Sequence, residues 1–117
     1  MTTGIFHSNI AGVSHRNSNG SDRQAYIRAY CRPGIRVELR PEPDNPHDKN
    51  AVGCWIRARA FIFFSADVQI GYLPADVCGE IARHLAKGGK ADCDVAEVTG
   101  GTRGKSTLGV NIQIRKG

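Results

Sequence analysis

Near the middle of the chain, Pro41-Glu-Pro-Asp-Asn-Pro-His-Asp carries three prolines in eight residues, which excludes both a helix and a strand interior. Each proline lacks a backbone donor, fixes φ and pushes the preceding residue out of the helical region. The segment has to be a stiff loop. The residues on either side of it alternate. Ile35-Arg-Val-Glu-Leu-Arg directs Ile35, Val37 and Leu39 to one face, and Ala51 to Arg59 does the same with Val52, Cys54, Ile56 and Ala58. A two-residue period is that of a half-buried strand.

The remaining segments are equally short. Residues 1–8 show no periodicity and read as a loose leader, with a first strand expected at Asn9 to His15, where Ile10, Ala11 and Val13 surround Gly12. Asn17 to Asp22 is turn chemistry, with Ser21 or Asp22 placed to cap a helix over Arg23 to Tyr30. That helix would bury Tyr26, Ile27 and Tyr30, and Cys31-Arg-Pro-Gly would end it. Phe61-Ile-Phe-Phe is an unbroken apolar run ahead of a strand at Val68 to Leu73. Pro74 suits the first turn of a second helix, striped by Val77, Ile81 and Leu85 and stopped by Gly88-Gly89. Ala91 to Val95 alternates, and Ala96 and Val98 then change phase, which predicts a bulge. A basic loop over 100–107 leads to the last segment, where Leu108, Val110, Ile112 and Ile114 face inward without a break. Six short strands and two helices without a βαβ rhythm predict a mainly β fold, a small barrel or sandwich.

At 117 residues the chain fits one domain, taken here as 9–117. No apolar run approaches the roughly 20 residues that span a bilayer, and Met1 to His7 lacks the pattern of a secretory signal. A soluble protein of the cytoplasm is expected. Formal charge is +5, and six arginines (Arg16, Arg23, Arg28, Arg32, Arg36, Arg40) stand between residues 16 and 40 against Asp22 and Glu38 only. Clustered positive charge attracts polyanions, although it also serves plain solubility. Cys31, Cys54, Cys78 and Cys93 are too scattered for a metal or redox motif and read as small buried residues. His7, His15, His47 and His84 show no zinc spacing either, so no metal or cofactor is expected. Asp76, Glu80 and His84 share a helix face that reads as solvated. Gly104-Lys105-Ser106 enters a strand, not a helix, which removes a phosphate-loop reading. Asp44 and Asp48 have no third acid beside them, which argues against a metal-dependent nuclease. The chain is read as having no enzymatic activity and no small-molecule substrate.

Glu42-Pro-Asp-Asn-Pro-His-Asp-Lys-Asn-Ala-Val, followed by Ile70-Gly-Tyr-Leu-Pro, resembles the HIRAN family. There an Asn-Pro-x-Asp-x-Asn-Ala segment precedes a strand, and an Ile-Gly-x-Leu-Pro element leads into a helix. Gly12-Val-Ser-His and Gly109-Val-Asn-Ile agree in order, so the resemblance runs from about residue 9 to 115. It implies an OB-like six-stranded barrel that binds single-stranded DNA at a free 3′-hydroxyl. In eukaryotes this module is attached to translocases that remodel stalled replication forks. This chain resembles a stand-alone bacterial or phage-type member.

On that resemblance the DNA contacts are expected at Ser14, His15, Arg16, Asn45, His47, Asp48, Lys49 and Tyr72. Asp48 would accept a hydrogen bond from a terminal hydroxyl at the bottom of a pocket and repel the phosphate of a continuing strand. The plain alternative is that Asp48 caps a turn. Related domains carry Arg-Tyr where this chain has Ser14-His15, and tyrosine where it has His47. They also carry histidine where it has Tyr72, and lysine where it has Ala75. Arg16 would replace the missing arginine, and Lys49 would help hold the backbone. Asn50 is expected to brace the loop, Gly71 to permit close backbone approach, and Trp55 to pack under a helix. A competing expectation is a protein-interaction module, dimeric through Phe61–Phe64, that has lost end recognition.

Overall fold

The unbroken alternation of the final segment builds one half of the sheet. In the computed structural model, which describes residues 4–61 and 64–117, this segment is strand β6 (Gly109–Lys116). It pairs on one side with β5 (Ala91–Thr99) and on the other with β1 (Gly4–Asn9), both antiparallel. β5 continues to β2 (Arg36–Pro41), then β3 (Val52–Phe61) and β4 (Phe64–Tyr72), giving the order β1-β6-β5-β2-β3-β4. Helix α1 (Arg23–Tyr30) follows β1, and α2 (Ala75–Ala86) follows β4. The described residues thus form a mainly β domain with six antiparallel strands and two helices.

One strand starts earlier than its sequence pattern predicts. The first strand occupies Gly4–Asn9 rather than 9–15, so the expected leader over 1–8 is largely strand. Phe6 is the one apolar side chain turned toward the core there, and Ile5 is 56% exposed. Side-chain period therefore carried almost no signal. The backbone groups along the outer edge of β6 need partners, and β1 supplies them residue by residue from Gly4↔Lys116 to Asn9↔Asn111. Pro41, expected in the loop, closes β2 opposite Val52. It can, because β2 pairs with β5 only at Arg36 and Val37, leaving the other side of its far end without a ladder.

The expected closed barrel is not formed by strand ladders. β1 and β4 are the two margins of the sheet; among the described residues no ladder joins them, and the chain just past β1 reaches the end of β4 through a bridge at Ala11↔Tyr72. Two hydrogen bonds make it, Ala11 N–H to the Tyr72 carbonyl at 2.7 Å and Tyr72 N–H to the Ala11 carbonyl at 3.0 Å. The expected bulge lies in β5, where the register with β6 slips between Val95 and Glu97. β3 and β4 form a longer hairpin than expected. Its tip, residues 62 and 63, lies outside the described residues, and with it the middle of the proposed partner surface at Phe61–Phe64.

The core is aliphatic: Val37, Cys54, Ile56, Ile70, Val95, Ile112 and Ile114 point inward from the sheet, joined by Ile27 from α1 and Ile81 from α2. Asp22 caps α1 by accepting from the Gln24 amide at 2.9 Å. Gln24 then holds the helix to β6, donating to the carbonyls of Val13 and Leu108 and accepting from the Leu108 amide at 2.8 Å. Pro74 is the N-cap of α2, one position earlier than expected, and Cys78 with Ile81 is its buried pair. All four cysteines are free and buried. Burial pushes the Cys31 thiol up to about 11 and that of Cys93 up to about 12. On the outer face of α2, Glu80 pairs with Lys116 at 2.9 Å. Trp55 is half-buried, sharing a small cavity with Tyr26 of α1, and the Arg40 guanidinium lies 4.3 Å from its ring centre.

Candidate nucleic-acid interface

The proline-rich loop is fixed by its own polar side chains. The Glu42 amide donates to the Ala51 carbonyl at 2.8 Å, closing the loop at its base. Asn45 Oδ1 accepts from the amides of His47 (2.9 Å) and Asp48 (3.2 Å), an Asx turn. Asp48 Oδ1 in turn accepts from the Asn50 amide at 2.8 Å. Asn50 therefore braces the loop through its backbone. Asp48 does serve as a turn cap, and this use leaves most of the capacity of a carboxylate with two oxygens unspent.

Two residues that sequence reasoning left aside organise this loop. Glu42 Oε1 accepts from both Asn45 Nδ2 and the Tyr72 hydroxyl, each at 3.0 Å, so one carboxylate ties the loop to β4. The Cys78 thiol donates to Asp48 Oδ2 at 3.6 Å. Burial, and then the negative charge of Asp48, push that thiol's pKa up, so it stays a donor. Nothing in a linear motif marks a glutamate thirty residues from its tyrosine partner. The buried stripe of α2 was the available clue to Cys78.

Asn45, His47, Asp48 and Tyr72 come together around a cavity of about 280 Å³, with Ala51, Leu73, Ala75 and Cys78 completing its lining. Ala51, Leu73 and Cys78 are its buried floor, and His47 and Asp48 are exposed. Asp48 thus stands on the wall, not at the bottom. Ser14, His15 and Arg16 do not line this cavity. They form an exposed turn, closed by the His15 amide on the Gly12 carbonyl at 3.0 Å, just beyond the Ala11–Tyr72 bridge. Ser14 is three residues from Ala11, so it lies within about 10 Å of that bridge. Arg16 donates to the Gly20 carbonyl at 2.9 Å, within its own loop. Lys49 faces the other side of the loop, in a groove of about 350 Å³ with Pro41, Pro43 and Arg83.

Arg23, which the linear motif did not single out, is a cation placed against Tyr72 of the site. Only 6% exposed, it sits over the Tyr72 ring at 5.4 Å and donates to Asn17 Oδ1 (2.6 Å) and the Gly12 carbonyl (2.8 Å). Among the described residues it has no carboxylate partner. Arg23→Met removes both bonds, leaving Asn17 Oδ1 without this donor and the Gly12 carbonyl with the His15 amide alone, at a cost of about 2 kcal/mol. The melting temperature is expected to fall by about 8 °C, read by circular dichroism. Arg16→Met, at an exposed position, should move it by no more than about 2 °C. Equal effects would mean that Arg23 is not the anchor described.

Gly71 is where the two margins touch. A Cβ there would stand 2.5 Å from both the Ala11 carbonyl oxygen and Ile10 Cγ2, so only glycine lets the bridge form. Among the described residues no group of three or more His, Cys, Asp or Glu side chains is placed to hold a metal ion. No helix among them is long and apolar enough to cross a membrane.

The sequence that folds in this way matches a known family. The HIRAN domain model matches residues 3–114. The chain belongs to the HIRAN family, whose members are known as DNA-binding modules. Two solved structures share the fold. The HIRAN domain of human HLTF superposes with a TM-score of 0.62 at 15% identity, covering 97% of this chain and 74% of that one. A protein from Lactobacillus plantarum superposes with a TM-score of 0.64 at 16% identity, covering 99% and 100%. Among curated protein sequences none matches the chain.

Proposed function

We propose that this HIRAN domain binds single-stranded DNA without catalysing a reaction, and that its cavity reads a free 3′-hydroxyl. The observation that carries this reading is Asp48, a carboxylate held by two donors on the wall of a cavity with an apolar floor. A terminal hydroxyl donates to such an oxygen. A continuing strand would bring a phosphate to the same place, where like charges repel. His47 and Tyr72 offer flat faces for the last bases, as stacking on aromatic rings requires. Lys49 and Arg83, across the loop, offer charge to the backbone leading up to the end. A module of this kind serves the processing of broken or stalled strands, where free ends arise.

The test is a fluorescence titration with one oligonucleotide carrying either a 3′-hydroxyl or a 3′-phosphate. A hydrogen bond to a charged acceptor is worth about 1.5–3 kcal/mol, so the open end should bind at least about tenfold more tightly. Equal affinities would remove end recognition from this domain.

A further inference from the structure

A second surface, at the far end of β3 from Asp48, has the chemistry of a strand-binding trough. Tyr30, Arg32, Ile35, Arg36, Arg57 and Arg59 line a groove of about 390 Å³. Four of the six are arginines, and none is acidic. Arg36 and Arg57 also line the adjoining cavity that holds Trp55, Glu38 and Asp67, so the two run together across β2 and β3. Val52, beside the Asp48 cavity, is seven residues along β3 from Arg59, a separation of about 23 Å in an extended strand.

The pairing of these arginines is incomplete. Arg57 meets Asp67 at 3.1 Å, but Asp67 also serves Arg40 at 2.6 Å. Arg36 meets Asp92 at 3.6 Å with both side chains largely in solvent, an arrangement that contributes little. Arg32 and Arg59 make no ion pair among the described residues. Holding four guanidinium groups together is unfavourable unless a counter-charge fills the space between them. Guanidinium forks suit phosphate oxygens, because two parallel N–H groups match two oxygens. Arg57 and Arg59 lie two residues apart on the outward face of β3, about 6.6 Å, commensurate with successive phosphates along a strand. Tyr30, half-buried at the groove wall, and Trp55 at its far end add aromatic surface for bases.

We infer that this trough binds the sugar–phosphate backbone of nucleic acid, as a contact separate from the Asp48 cavity. The choice of nucleic acid over another polyanion rests on the DNA reading above, whereas the location does not. Its role is to hold a strand or flanking segment while the cavity inspects the end.

The experiment compares the parent, an Arg32→Gln/Arg59→Gln variant and an Arg103→Gln/Lys105→Gln control that loses the same charge from the loop over 100–107. Both ion-paired arginines stay in place, and melting curves check that each variant is folded. Affinity for a single-stranded oligonucleotide of about 20 nucleotides is followed against salt; losing two phosphate contacts should flatten the log–log slope by about 1.4 and lower affinity about tenfold in low salt. Open and 3′-phosphorylated oligonucleotides should lose equally, which separates this contact from end recognition even if the parent does not discriminate between ends. Parent-like slope and affinity in the groove variant, or an equal loss in the control, would overturn the assignment. Competition by polyglutamate at matched charge as strong as by the oligonucleotide would overturn the nucleic-acid occupant.

Discussion

Asp48→Ala is expected to erase the difference in affinity between oligonucleotides ending in a 3′-hydroxyl and those ending in a 3′-phosphate. The carboxylate is asked to do two things. It accepts a hydrogen bond from an open end, worth about 1.5–3 kcal/mol when the acceptor is charged, and it repels a blocked one. Removing it weakens the open end by at least about tenfold and strengthens the blocked end, so the two converge. The variant also loses the bond from the Asn50 amide, which costs about 1 kcal/mol and lowers the melting temperature without unfolding the domain. Asp48→Asn separates the two effects. It keeps an acceptor oxygen and the turn but removes the charge, so discrimination should narrow rather than vanish. Both variants retaining the parent's full preference would show that the end is read elsewhere.

Gly71→Ala is expected to cost this protein a large share of its stability for a single added methyl group. The new Cβ would lie 2.5 Å from a backbone oxygen, which cannot rotate away as the tip of a side chain can. Ala11 would have to move, taking with it both hydrogen bonds of the bridge and the packing of Ile10, which is only 3% exposed. Overpacking alone costs about 1–3 kcal/mol, and with the lost bridge the total reaches about 4 kcal/mol. Against the 5–15 kcal/mol of a typical domain this is a large share, and the melting temperature should drop by more than about 12 °C. Gly34→Ala is the comparison. Its φ of +92° also disfavours a side chain, but nothing lies within 4 Å, so only local strain of about 1 kcal/mol applies. If Gly71→Ala melts no lower than Gly34→Ala, the contact between the two margins is looser than described.

Elements governed by local rules were legible in the sequence. Period two marked β2, β3 and β6, a cap at Ser21 or Asp22 and the stop at Cys31 bounded α1, and a phase change located the bulge in β5. β1 was not legible, because its reason for being a strand is the unsatisfied edge of β6, a hundred residues away. Closure was not legible either, since alternation reports which side chains are inside and says nothing about whether the outermost strands pair. At the candidate site, a contiguous motif brought Asn45, His47 and Asp48 to one cavity with Tyr72. The motif did not single out Arg23, Glu42 or Cys78, whose parts depend on contacts between distant segments. Arg16 was picked by its place in the chain and bonds the Gly20 carbonyl in its own loop, whereas the contact of Arg23 with Tyr72 joins segments about fifty residues apart.

The place where β1 and β4 approach one another has a bearing on how any bound strand would be felt. Tyr72 belongs both to the cavity wall and to the lone two-bond join between the outer borders of the sheet. An occupant that presses on Tyr72 and the turn beyond Ala11 would act as a clasp across that seam. Grip and cohesion then become one linked equilibrium: whatever fills the cavity also fastens the sheet shut, and whatever loosens the fastening weakens the hold.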